Sequence, residues 1–208
     1  IKAIRDRATK EILDLSLAQK LLIQIGLKKL EQLEEEWAES KINKKPVLFI
    51  LAEDNDVADL IEKEIAKMPN QHGKRYTIYD KNKTQEIPDV LTIHSDRKGG
   101  LSDEEYERIR KHIFNIDDAS NPVKILVSVM MLKEGFDVNS VCVIVGLRAL
   151  DSYILAEQTI GRGLRLMFRE PEYEEAKNES FELLRERQKP KNSFDQLFIV
   201  EHPTFREF

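Results

Sequence analysis

The chain has 208 residues, enough for one domain, or one domain plus an appendage, with a properly buried core. Charged residues make up 34% of it, above the usual quarter or so, and the net charge is −5, which excludes a basic nucleic-acid-coating protein and leaves only local contacts to nucleic acid. A single cysteine excludes a disulfide framework and fits a reducing cytoplasm, and no apolar run reaches membrane-spanning length.

Residues 1–41 read as helix, with Ile4, Ala8, Ile12 and Leu15, then Ile23, Leu27, Leu30 and Trp37, at helical spacing. Gly26 between the two sets is a place where the helix can kink or divide. The apolar stripe is a packing face, against either the domain itself or a preceding one. Residues 1–44 are taken as a helical extension or linker, and 45–208 as the main domain.

After Lys44-Lys45-Pro46, VLFILA (47–52) is a continuous apolar run of the kind a strand covered on both faces shows. Asp54 or Asn55 can cap the next helix, whose face is Val57, Leu60, Ile61 and Ile65. Residues 69–89 are polar and turn-rich, with a possible short strand at RYTIY. VLTIH (90–94) is the second strand; Ser102 and Glu105 then form a capping box for a helix running to about Phe114. KILVSV (124–129), CVIVGL (142–147) and LFIV (197–200) supply three further strands. Residues 169–193 read as a charged surface helix or mobile excursion. Strands alternating with helices predict an α/β fold with a parallel sheet, and ligands in such sheets sit beyond the carboxyl ends of the strands.

Most of the chemistry gathers in residues 151–168, DSYILAEQTIGRGLRLMF. Gln158, Arg162 and Arg165 stand at i, i+4 and i+7 and share one helical face. Gly161 and Gly163 flank the first arginine, and each glycine costs a helix about 1 kcal/mol relative to alanine, so close approach of a backbone or phosphate is the simplest reason for them. Paired arginines can grip a group that gains negative charge during reaction. The bland alternative is a polar helix face ending at a glycine cap. Gly135 and Asp137 form a tight turn that lets a ribose hydroxyl or phosphate-bound water approach; the alternative is a turn capped before the next strand. His94 and Ser95 begin a loop whose hydroxyl and amides could touch a nucleic-acid backbone, or which is only a strand-to-helix connection. Neither Asp54-Asn55-Asp56 nor the four histidines have metal-ligand spacing, and Cys142 in VCVIV reads as a small core residue.

QTIGRGLR resembles the sixth motif (Q-x-x-G-R-x-x-R) of superfamily 2 helicases and translocases, and SVMMLKEGFDV (128–138) resembles the fifth, in the family's order and spacing. The resemblance covers roughly residues 45–205, and LKEGFDV, GLRALDSY and GRGLRL make it most like the restriction subunit of type III restriction–modification enzymes. It implies a RecA-like (P-loop NTPase-type) second motor domain in the cytoplasm, with ATP and Mg2+ as cofactors. Arg162 and Arg165 would then meet the terminal phosphate, Gln158 would orient them, and Gly135 and Asp137 would sense nucleotide. His94, Ser95 and Ser128 would lie against the DNA backbone. Many helicases have a threonine six residues before the motif-five glycine; Val129 stands there in this chain, with Ser128 one residue earlier.

No G-x-x-x-x-G-K-[ST] occurs anywhere in the chain, and the acidic pair Asp103-Glu104 belongs to the capping box. The phosphate cradle, its lysine and the Mg2+ ligands therefore have to come from a first RecA-like domain. With its start on Ile1 and its end at HPTFREF, the chain reads as a piece of a longer protein that is inactive alone. A modification (methyltransferase) subunit is a further expected partner, and a membrane is not. Two other readings remain open: an RNA or DNA-repair half-motor, and a non-catalytic interaction domain that keeps the fold.

Overall fold

The computed structural model describes residues 2–6, 12–78, 87–94, 103–129, 138–147 and 166–200. The expectation of helix from residue 1 onwards is not met. β1 (Ile4–Arg5) pairs antiparallel with β2 (Ile12–Asp14), and helix α1 starts only at Leu17 and runs to Glu39. The start is dictated locally. Ser16 and Gln19 form a capping box, the Ser16 hydroxyl accepting from the Gln19 amide and the Gln19 side chain accepting from the Ser16 amide. Gly26 does not divide the helix. It lies so close to the sheet that a Cβ there would stand 2.4 Å from Cγ2 of Val145, which is why only glycine fits.

Five parallel strands form one sheet in the order β4-β5-β3-β6-β7: β3 (Val47–Leu51), β4 (Val90–Ile93), β5 (Ile125–Ser128), β6 (Val141–Gly146) and β7 (Phe198–Val200). All five lie within a residue or two of where the apolar runs put them. The possible strand at RYTIY does not form over its described residues; Arg75 makes only an isolated bridge to Pro69.

Side-chain alternation along the strands divides the core in two. On one face, Leu48, Ile50, Val127 and Val145 pack with Ile23, Leu27 and Leu30 of α1 and with Val57, Ile61 and Ile65 of helix α2 (Asn55–Ile65). The apolar stripe of α1 therefore rests on this sheet. On the other face, Phe49, Leu51, Leu126 and Ile144 pack with Ile113 of helix α3 (Asp103–Phe114) and with Ile116. Cys142 is a buried core thiol, its pKa pushed up to about 12 by burial.

Within residues 169–193 a short 3₁₀ turn (Pro171–Tyr173) leads into helix α4 (Glu174–Arg185). Aromatic rings anchor this excursion. Phe168 meets Trp37 edge-on at 5.1 Å and stacks on Phe194 at 4.3 Å, while Tyr173 meets Phe168 edge-on at 5.0 Å. Among the described residues no helix is long and apolar enough to cross a membrane.

Candidate functional site at the carboxyl edge of the sheet

Parallel pairing brings the ends of β4, β5, β3 and β6 to one edge. β5 and β6 flank the central β3 there: the amide of Ala52 donates to the Ser128 carbonyl at 2.8 Å, and the amide of Leu147 to the Leu51 carbonyl at 3.0 Å. The chain leaves β3 into Glu53 and Asp54, β4 into His94, β5 after Ser128 and β6 into Leu147.

Asp54 is the N-cap of α2, and its Oδ1 accepts from the Val57 amide at 2.9 Å. Its other oxygen accepts from Arg5 Nη2 at 2.9 Å, and Arg5 also lies 3.8 Å from Glu53. The N-terminal strand pair is thereby fastened to the edge. His94 Nε2 stands 2.6 Å from Oδ1 of Asp59 on α2; a carboxylate only accepts, so that nitrogen carries the proton and donates. Beneath this pair, burial pushes the Glu62 carboxyl above the ordinary range. The Thr92 hydroxyl beside it draws it down, the Asp59 charge raises it further, and His94 draws it down.

Of the residues singled out from the sequence, His94 and Ser128 fall on this edge. His94 is only partly exposed and held by Asp59. Ser128 ends β5 and is buried, at 2% exposure, next to buried Val129. Ser95, Gly135, Asp137, Gln158, Gly161, Arg162, Gly163 and Arg165 lie outside the described residues. Asp59 and Arg5 were not legible as site residues, because each acquires its role from a partner 35 or 49 positions away. Among the described residues no group of three or more His, Cys, Asp or Glu side chains is placed to hold a metal ion.

No protein-family model matches the chain, and no curated protein matches it either.

Proposed function

We propose that this chain is the second, RecA-like motor domain of an ATP-dependent DNA helicase or translocase of the type III restriction kind, supplying paired arginines to ATP held by a first motor domain. One observation carries the reading. The two motif-bearing segments leave the sheet from β5 and β6, the neighbours of central β3, at the edge where open parallel sheets receive ligands. SVMMLKEGFDV begins on the last residue of β5, and QTIGRGLR follows β6. The chain towards each motif thus leaves the sheet on one side or the other of β3.

In this reading Arg162 and Arg165 stabilise the charge that develops on the terminal phosphate, and Gln158 orients them. Gly135 and Asp137 sense the nucleotide. Mg2+ and the phosphate cradle belong to the first motor domain, since the chain has no Walker lysine. Closure of the cleft between the two domains would move the loops that begin at His94 and Ser95 and after buried Ser128 along the DNA backbone.

The test is Arg165→Ala in a protein that joins this chain to a Walker-bearing first domain. ATP turnover should fall by roughly a thousandfold or more, the scale of a lost arginine finger, while ATP binding stays within a few-fold. Turnover equal to the parent's would end the finger assignment.

A further inference from the structure

The opposite, amino edge of the sheet carries a cleft that the motor reading leaves unused. It encloses about 440 Å³ where β3 and β5 begin, with the last turns of α1 as one wall and residues 70–72 as another; Lys44, Lys45, Lys124 and Trp37 line it. The walls are fixed. Glu31 of α1 accepts from the Gln71 amide at 2.9 Å and from the Tyr76 hydroxyl at 2.8 Å. Asn70 Oδ1 accepts from the amides of His72 and Lys74, each at 3.0 Å.

The three lysines are not equivalent. Lys44 pairs with Glu170 at 2.7 Å, and Lys124 with Glu34 at 3.1 Å. Lys45 donates only to neutral carbonyls, those of Asn121 and of Val123, the latter at 2.7 Å. Among the described residues no carboxylate lies within ion-pair distance of it. An ammonium has three hydrogens, so one remains unspent. Burial lowers the Lys45 pKa to about 8; Asp117, Asp118 and Glu34 raise it from longer range, and Lys124 lowers it. A desolvated cation without a counter-ion is a standing cost. Trp37 lines the same cleft, its indole N–H buried and without a hydrogen-bond partner. A ligand that relieves Lys45 must bring acceptors and negative charge. Glu34, already spent on Lys124, and Glu35 also line the cleft, and their like charge opposes an anion that approaches them rather than Lys45.

We propose that this cleft binds a compact oxyanion such as the phosphate group of a small molecule, with Lys45 as its counter-ion. The proposal is independent of the motor reading and stands or falls without it. Trp37, the single tryptophan of the chain, is a built-in reporter. The protein is titrated with sulfate, which keeps its charge across the pH range used, at ionic strength matched with chloride, and Trp37 emission is followed. A saturable change is expected, weakened at least tenfold in Lys45→Gln. Affinity in the parent should fall about tenfold per pH unit above about 8, because binding needs the charged ammonium. Lys45→Arg, whose charge does not titrate there, should bind without that pH dependence. No saturable response, or a response unchanged in Lys45→Gln while circular dichroism matches the parent, would overturn the site.

Discussion

At the amino edge of the sheet two aspartates each gather several donors. Asp117 accepts from the backbone and side chains of both Asn139 and Ser140, at 2.6 to 3.1 Å, and so pins the approach to β6. Asp195 accepts from the amides of Met167 and Phe168 at 2.7 and 3.0 Å and from Lys177 at 3.1 Å, with its side chain 1% exposed. At the carboxyl edge the ion pairs among the described residues are partly exposed: Arg5 on Asp54, and His94 on Asp59. Polar side chains at the amino edge hold the fold, whereas those at the carboxyl edge stand where the motif-bearing segments depart. A substitution at each edge should therefore register differently.

The largest effect is expected at Asp195. Replacing it with Ala leaves the amides of Met167 and Phe168 without their acceptor and takes the ion pair from Lys177, which keeps the Phe168 carbonyl, at a cost of about 3 kcal/mol. Asp195 also sits at φ 50°, a left-handed conformation that Asp and Asn tolerate better than Ala. Asp195→Asn keeps an acceptor and the backbone preference and should lose less. Urea unfolding of both variants checks the order, and equal losses would show that the retained acceptor and backbone preference contribute nothing there, the charge carrying the whole loss.

Asp54→Ala is the matching lesion at the other edge. It removes the cap on the Val57 amide and the partner of Arg5. A lost N-cap costs about 1 kcal/mol, and a partly exposed ion pair adds little. The melting temperature should drop by only a few degrees. A loss as large as that at Asp195 would erase the contrast between the edges.

How much of this was readable beforehand follows the range of the forces involved. The strands were legible because continuous apolar runs such as VLFIL and CVIV need no partner to declare themselves. The cap at Asp54 was legible because it acts over three residues. The start of α1 was missed although the Ser16 and Gln19 capping box was in plain view, because apolar spacing carried the helix back through Ile12 and Ile4, which instead lie in paired strands. Gly26 was weighed as a local helix breaker, when its reason is a side chain on β6, 119 positions later, that leaves no room for a Cβ. At the edges, Arg5 on Asp54 and His94 on Asp59 are set by topology, which periodicity does not carry.

A pH-dependent effect sharpens the comparison from the amino side. Lys45 has its folded pKa lowered from 10.5 to about 8, chiefly by burial. Between those values the unfolded chain binds more protons than the folded one, so this group makes folding more favourable as pH rises. Cys142 works the other way above its ordinary 9.0, because the folded thiol holds its proton to about 12. Comparing the parent with Lys45→Met cancels the cysteine. The stability difference should move in the parent's favour as pH rises from 8 towards 10.5, and stay flat below about 8, where Lys45 is charged in both states. A difference that is flat throughout would mean that the half-buried Lys45 ammonium is well solvated in the fold.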